Sequence, residues 1–408
     1  MTSRSAPPRP SSPLEIFLVA LRLGCTSFGG PIAHLGYFRT EYVVRRRWLD
    51  EATYAELVAL CQSLPGPTSS QVGIATGLLR GGSVGAFLAW LGFTLPSAAA
   101  LVVFAVSVER LGGQAAGPIH GLNLVAVAVV ALAVWSMARA LAWDVLRAPI
   151  ALAAAAVLLA FPTALTQVGV IVTAGIAGWA LLRAPAVVAP AGVRVPIGRR
   201  VAFACAALFL ALLIVLPLAR VTAPTGEIAL FDSFYRSGAL VFGGGHVVLP
   251  LLQAEVVPPG WVTQEHFLAG YGAAQAVPGP LFTFAAYLGA VIAPVPANGG
   301  LAAWPPGGAP GAVLALVAVF LPSFLVVFAA LPSWGVLRAR ADAQAALRGI
   351  NAAVVGILLA ALITPIATSA IRGPVDAAFA LAAVAMLLGK LPPWFVVITI
   401  AAIASLLR

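Results

Sequence analysis

Two glycine-rich breaks interrupt apolar stretches of the sequence at matching places. Residues 26–34 are TSFGGPIAH and residues 240–248 are LVFGGGHVV, and a second pair of breaks, both PGP, lies at 65–67 and 278–280. Glycine is flexible and proline lacks an N–H group, so both end helices. A helix that restarts at such a break points unpaired N–H groups and a partial positive charge at its surroundings. The four breaks therefore predict an anion site, with close helix packing through glycine as the alternative.

An arginine precedes each FGG sequence by six residues, at Arg22 and Arg236. A charge inside a membrane segment is costly and rarely faces lipid. Arginine is a permanent cation that binds oxyanions through paired hydrogen bonds, so both residues are predicted to hold an oxyanion. The alternative is that they reach the lipid headgroups or pair with an acid such as Glu15 or Asp232.

Neutral polar side chains flank the PGP breaks and are able to complete an oxyanion shell. Gln62 and Gln275 precede the two breaks, and Thr68 and Ser69 follow the first. Bonding of serine and threonine to carbonyl groups of their own helix is a comparable explanation. The predicted substrate-binding residues are Arg22, Phe28, Gly29, Gly30, Gln62, Pro65, Gly66, Pro67, Thr68, Ser69, Arg236, Phe242, Gly243, Gly244, Gln275, Pro278, Gly279 and Pro280.

Four titratable residues are candidates for proton coupling. His34 and His246 flank the glycine breaks, and histidine exchanges a proton near neutral pH; a structural role is the alternative. Glu41 and Glu255 are weaker candidates, because their expected loop positions would let them pair with Arg45 or face solvent.

The composition places these residues in a membrane. The chain has 408 residues, of which 61% are hydrophobic and 9% charged, with a mean hydropathy of +1.03. Soluble proteins carry about 25% charged residues, so we expect an all-α polytopic membrane protein. The sequence contains no Walker or HExxH motif and no metal-spaced cluster. It therefore predicts neither an enzyme nor a bound cofactor or metal, and the net charge of +10 reflects basic loops rather than nucleic-acid binding.

The two halves of the chain match each other. A shift of 214 residues superposes Arg22 on Arg236 and the first FGG on the second, and GLNLVAV (121–127) later meets GINAAVV (349–355). The second match pairs Asn123 with Asn351, for which a hydrogen bond between helices is as good an explanation as substrate contact.

Each half contains six apolar segments, and one further span joins the halves, so the halves should have opposite orientations. The predicted organisation is a disordered tail (1–13), a first repeat (14–184), a linker with one transmembrane helix (185–225) and a second, inverted repeat (226–408). The apolar segments, thirteen in all, are 14–36, 54–79, 83–108, 118–142, 149–161, 164–182, 201–219, 228–252, 264–293, 309–335, 344–365, 374–388 and 392–407.

The distribution of basic residues favours re-entrant segments. If all thirteen segments cross, the Lys and Arg residues outside the first segment of each half divide 13 to 8 between the two sides. If the first two segments of each repeat dip in and return, the division becomes 17 to 4, with Arg22 and Arg236 inside the segments. Cytoplasmic loops are enriched in Lys and Arg. We therefore expect re-entrant helices and a cytoplasmic N-terminus.

The motif combination resembles the chromate ion transporter family in its long, two-domain form. The resemblance rests on FGGP after an arginine-bearing segment, on RRRWLDEATYAELVALCQSLPGPTSSQVGIATG, and on FGGGHVVLP with QAVPGP in the second half. It implies a multi-pass carrier in the bacterial inner membrane that exports chromate and confers chromate resistance, with sulfate as the structural analogue. The second half has Gly245 in place of Pro31 and lacks the arginine-rich loop, so the halves should contribute unequally.

The expected mechanism is alternating access around an oxyanion site at the membrane midplane. Two alternatives remain open at this stage: a transporter or exchanger of sulfate or another oxyanion, and a membrane enzyme or flippase that acts on phosphorylated lipid. The expected partners are a small oxyanion and the lipid bilayer, with a homodimer left open.

Overall fold

The computed structural model describes residues 11–183, 197–223, 225–292, 305–334 and 340–406. The predicted tail (1–13) and linker (185–225) therefore lie partly outside the described residues. Throughout the described ranges the chain is helical and contains no β-strand. The helices are α1 Pro13–Thr26, α2 Gly30–Phe38, α3 Glu51–Ser63, α4 Thr68–Leu111, α5 Ala116–Leu141, α6 Arg147–Ala160, α7 Ala164–Leu181, α8 Arg199–Thr222, α9 Gly226–Ala239, α10 Val248–Val256, α11 Gln264–Ala276, α12 Phe284–Val291, α13 Gly308–Ala330, α14 Ala341–Ala361, α15 Pro374–Leu388 and α16 Pro393–Leu406.

Apolar helices dominate the structure. Five helical stretches are long and apolar enough to cross a membrane, and four shorter apolar helices accompany them. The prediction of an all-α polytopic membrane protein is confirmed. The predicted linker span corresponds to α8, whose most apolar window is only 6% buried. This helix therefore lies at the edge of the bundle.

Helix α4 is two antiparallel arms, residues 68–80 and 83–111, joined by a sharp bend. Gly81 and Gly82 have non-helical backbone angles, and Gly82 has a φ of +63°, a conformation that glycine adopts without steric cost. The arms pack so closely that a Cβ atom on Gly77 would lie 2.7 Å from Ala89 Cβ. The chain thus reverses its direction at the bend.

The first two helix pairs of the first repeat enter and return at the same end of the bundle. Arg46, which follows α2, pairs with Glu15 in the first turn of α1 at 2.7 Å. Arg80, at the end of the first arm of α4, lies 5.6 Å over the ring of Trp48, which precedes α3. Both pairs are therefore hairpins that begin and end at the same end of the bundle, the arrangement that the distribution of basic residues favours. We call this end, with Glu15, Arg46 and Arg80, the first end.

The second repeat begins at the opposite end, which we call the second end. Arg220, in the last turn of α8, contacts Glu255 at the end of α10 at 3.4 Å and lies 5.5 Å over the ring of Trp261, which precedes α11. Glu109, at the end of the second arm of α4, lines a cavity together with Glu227 at the start of α9 and with Trp261. Because that arm crosses the bundle, the two repeats have inverted orientations.

Glycines bring the crossing helices into close contact, as is common where lipid surrounds the bundle. A Cβ atom on Gly178 of α7 would lie 2.7 Å from the Cα atom of Gly349 of α14. Two turns further along the same face of α14, a Cβ atom on Gly356 would lie 2.8 Å from Ala154 Cβ. These contacts hold one face of α14 against both α6 and α7.

We expect the substitution Gly178→Val to lower the free energy of unfolding by about 1–3 kcal/mol, since overpacking of a tight contact forces the helices apart. Gly169→Val is the matched control on the same helix, because no atom lies within 4 Å of a Cβ at that position. Thermal unfolding of the purified protein measures both effects. Equal losses of stability in the two variants would show that valine acts through helix propensity rather than through the contact with α14.

Candidate functional site

The four helix breaks meet, and each joins a break of the opposite repeat. The N–H group of Gly66, in the first PGP loop, donates to the carbonyl oxygen of Val241 at 2.8 Å. The N–H group of Gly279, in the second PGP loop, donates to the carbonyl oxygen of Ser27 at 2.9 Å. Each PGP loop is thus fixed to the residue that precedes the other repeat's FGG sequence, in a reciprocal pair of bonds.

The glycines of the PGP loops leave no room for a side chain. Gly66 has a φ of +118° and Gly279 a φ of +106°, values that other residues rarely adopt. A Cβ atom on Gly66 would lie 2.7 Å from Ser323 Oγ, and one on Gly279 would lie 2.7 Å from Ser97 Oγ. The two serines come from the matching sequences TLPS and FLPS, so this contact also follows the twofold pattern of the repeats.

The helix starts at the breaks differ from the starts of the helices that lead into the breaks. The four leading helices have side-chain caps, from Ser12 in α1, Asp50 in α3, Thr225 in α9 and Thr263 in α11. No side chain caps the starts at the breaks, which follow Gly29, Pro67, Gly244 and Pro280. The first N–H groups of a helix have no partner within the helix. At the breaks these groups remain available to a ligand.

A cavity of about 810 Å³ lies at the breaks. The two FGG breaks face each other there, since a Cβ atom on Gly245 would lie 3.4 Å from Pro31 Cγ. The predicted residues that line the cavity are Gly29, Gly30, His34, Gln62, Thr68, Gly243, Gly244, His246, Gln275 and Gly279. Among the described residues that line it there is no Lys, Arg, Asp or Glu.

Other predicted residues lie around this cavity without lining it. The residues that belong to the breaks or adjoin them but do not line the cavity are Phe28, Pro65, Gly66, Pro67, Ser69, Phe242, Pro278 and Pro280. Arg22 is exposed on α1 and forms no ion pair with the residues that the structure describes. The packing of α1 explains why Arg22 is exposed. A Cβ atom on Gly24 would lie 2.7 Å from the carbonyl oxygen of Phe93, so the face of α1 that carries Gly24 is the one turned towards the protein.

Arg236 is held in an ion network away from the cavity. Its guanidinium binds both oxygens of Asp232 at 2.8 Å and contacts Glu255 at 2.9 Å. Arg220 contacts the same two carboxylates, at 3.3 and 3.4 Å. Asp232 is fully buried, and two arginines balance two acids. In this conformation Arg236 neutralises protein carboxylates, the alternative that its sequence context left open.

The two histidines of the cavity are oriented by hydroxyl groups. His34 Nδ1 lies 3.3 Å from Ser69 Oγ, and His246 Nδ1 lies 2.6 Å from Tyr271 Oη. Each of these bonds uses Nδ1 and leaves Nε2 for another partner. Glu41, in contrast, pairs with Arg46 at 2.9 Å outside the cavity, as Glu255 does with its arginines.

Comparison with known proteins identifies the family of the chain. The family model described as Chromate transporter matches residues 14–179 and 228–406, which are most of the chain. The chain belongs to the chromate transporter family. The two matches fall on either side of α8, the peripheral helix that joins the repeats.

Three relatives illustrate the similarity within the chromate transporter family. A chromate transport protein of Pseudomonas aeruginosa is 29% identical over 91% of this chain and 85% of its own length. One of Cupriavidus metallidurans is 29% identical over 92% and 87%, and a probable chromate transport protein of Synechococcus elongatus is 28% identical over 95% and 93%. No solved structure matches the chain significantly.

Part of the cavity in this member of the chromate transporter family was not predicted. Residues of α5 and of the α15–α16 turn form one wall, among them Met137, Leu141 and Leu388. Apolar residues occur on every helix of such a bundle, so their types gave no indication. Asn351 also lines the cavity, whereas its repeat counterpart Asn123 is 2% exposed and does not line it. The repeat pattern identified this pair but not which member faces the site.

Proposed function

We propose that this chain exports chromate across the bacterial inner membrane and that the anion binds where the four helix breaks meet. The observation that carries the proposal is the convergence of four helix starts without side-chain caps on one cavity. Uncapped helix starts bind anions through their N–H groups and the helix dipole. The family and the names of the relatives support chromate as the anion.

Neutral donors complete the proposed site. Gln62, Gln275 and Thr68 line the cavity and can donate to the oxygens of a tetrahedral dianion. The side-chain nitrogen of Gln275 is buried and has no hydrogen-bond partner among the described residues. A buried donor without a partner is costly, so an oxyanion bound beside Gln275 would supply the acceptor that its side-chain nitrogen needs.

The cavity extends towards one end of the bundle. Its wall extends to Leu141, Leu388 and Pro393, which lie towards the first end. That end carries Arg46 and Arg80, so we place it, with the N-terminus, in the cytoplasm. The conformation is then open to the cytoplasm. A dianion that leaves a negative interior gains about 2.3 kcal/mol per charge for each 100 mV, and exchange of the two inverted repeats would provide alternating access.

Uptake of chromate by everted membrane vesicles tests the proposal. Gln275→Ala should raise the KM for chromate about tenfold or more, because a hydrogen bond to a charged group contributes roughly 1.5–3 kcal/mol. Gln114→Ala is the control, since Gln114 is an exposed residue far from the cavity. Sulfate added as a competitor measures how far the site distinguishes the two dianions. An unchanged KM in Gln275→Ala would contradict the proposed site.

We further propose that His34 and His246, rather than the paired acids Glu41 and Glu255, exchange protons with the site. The double variant His34→Gln, His246→Gln should transport chromate with a flatter pH profile than the wild-type protein, because histidine can take up a proton and glutamine cannot. The rate of vesicle uptake as a function of pH measures this. A profile like that of the wild-type protein would exclude both histidines.

A further inference from the structure

The cavity is much larger than the anion that it is proposed to hold. A tetrahedral oxyanion has five heavy atoms, and a water molecule occupies about 30 Å³ of the liquid, so the anion needs at most roughly 150 Å³. The cavity has about 810 Å³, which lies in the range of pockets that enclose drug-sized organic ligands. Most of its volume therefore lies beyond the reach of the donors at the breaks.

The additional space has an apolar wall that begins directly at the donor groups. A Cβ atom on Gly243 would lie 3.2 Å from Leu141 Cδ1 and 3.5 Å from Met137 Cε. Val129, Leu132 and Leu388 continue the same wall. The cavity thus has one polar end, made of helix starts and amides, and one apolar side. No described residue of the lining carries a carboxylate that would repel an anion.

We propose that the cavity binds amphipathic organic oxyanions, such as alkyl sulfonates, with the sulfonate at the helix breaks and the alkyl group along the apolar wall. This inference rests on the proposed anion site and adds a ligand class to it. A sulfonate presents three oxygens in the same geometry as a tetrahedral oxyanion, so the same N–H groups bind it. Its alkyl chain leaves water for the surfaces of Met137 and Leu141. Chromate and the sulfonate compete for one place.

A series of straight-chain sulfonates, from methanesulfonate to hexanesulfonate, tests this inference as inhibitors of chromate uptake in vesicles. Each added methylene group should tighten inhibition about two- to fourfold, in line with the transfer of a CH₂ group out of water. Inhibition should be competitive with chromate. Hexyltrimethylammonium, with the same alkyl group and the opposite charge, should not inhibit. Inhibition constants that do not change with chain length would overturn the inference, and so would equal inhibition by the ammonium compound, which would indicate a site for lipid chains.

Two substitutions on α15 locate the effect. Leu388 lines the cavity and is 64% exposed, and Leu381 on the same helix is 69% exposed but does not line it. Leu388→Gln should weaken inhibition by hexanesulfonate at least threefold while leaving that by methanesulfonate unchanged, and Leu381→Gln should change neither. Equal effects of the two variants would place the alkyl group elsewhere.

Direct binding separates this inference from the proposed function. Hexanesulfonate should raise the unfolding temperature of the purified full-length protein in lipid nanodiscs more than methanesulfonate does at the same concentration. If hexanesulfonate raises the unfolding temperature more but the protein takes up no chromate, the proposed substrate is refuted and the binding of alkyl sulfonates is upheld. If the protein takes up chromate but neither inhibition nor the unfolding temperature depends on the alkyl chain length, only the binding of alkyl sulfonates is refuted.

Discussion

Replacing Gly279 with alanine is expected to reduce chromate uptake to less than about a tenth of the wild-type rate. The added Cβ atom would lie 2.7 Å from Ser97 Oγ, and the φ of +106° is one that alanine rarely adopts. Strain of this kind costs of order 1–3 kcal/mol, and about 1.4 kcal/mol corresponds to a tenfold effect. The strain falls on the loop whose N–H group binds the opposite repeat at Ser27. Vesicle uptake, normalised to the amount of folded protein, measures the loss.

Two further glycines, one in the first break and one in α2, separate backbone strain from the steric contact. Gly30 has a φ of +78°, but no atom lies within 4 Å of its Cβ position, so Gly30→Ala tests the backbone term alone and should have the smaller effect. Gly36, in α2, has neither a positive φ nor a close neighbour, and Gly36→Ala should transport normally. A loss in Gly36→Ala as large as that in Gly279→Ala would contradict the argument.

A second substitution tests which contact is responsible. In the Gly279→Ala protein, the further change Ser97→Gly removes the atoms that the new methyl group meets, and it should restore part of the activity. Ser323→Gly should not, because Ser323 lies against Gly66 in the other PGP loop. Rescue by both serine variants, or by neither, would mean that the loop does not act through this contact.

The sequence predicted the breaks and the repeats because their residue types permit few backbone conformations. Glycine and proline at 29–31 and 65–67 end helices in almost any surroundings, and the structure has its helix breaks there. The position of Arg46 and Arg80 at one end of the bundle was also predictable, since basic residues collect on one side of a membrane. These predictions depend on local or one-dimensional properties of the chain.

The position of the arginines could not be derived in the same way. Which face of a helix is turned towards a cavity depends on packing between elements distant in sequence, and here the glycines of α1 and α9 face the protein. One local indication existed, because Asp232 precedes Arg236 by four residues and such pairs meet on a helix. The first repeat has Leu18 at the equivalent place. The ion pair of Arg236 with the buried Asp232 was therefore foreseeable, whereas the free space along α5 was not.

Asp232→Asn is expected to destabilise the protein by about 3–5 kcal/mol, the typical effect of removing one partner of a buried ion pair. Asp232 has no exposed side-chain surface, and it accepts hydrogen bonds from Arg236 and Arg220. Without it, two arginines face the single carboxylate of Glu255. The uncompensated charge lies between α8, α9 and α10, so the contact between α9 and α10 should loosen. Thermal unfolding of the purified variant measures the loss of stability.

The double variant Asp232→Asn, Arg236→Gln removes one charge of each sign and leaves Arg220 with Glu255, so most of the lost stability should return. It also separates two roles of Arg236. If this arginine serves only to balance the buried acids, as its 2.8 Å contacts with Asp232 indicate, the double variant should take up chromate at close to the wild-type rate. If Arg236 holds the anion at another stage of transport, the double variant would be stable but inactive, while Asp232→Asn alone would retain some uptake in whatever fraction remains folded. A stable, inactive double variant would therefore show that Arg236 binds the anion during transport. The anion would then bind a charged side chain in addition to the helix starts.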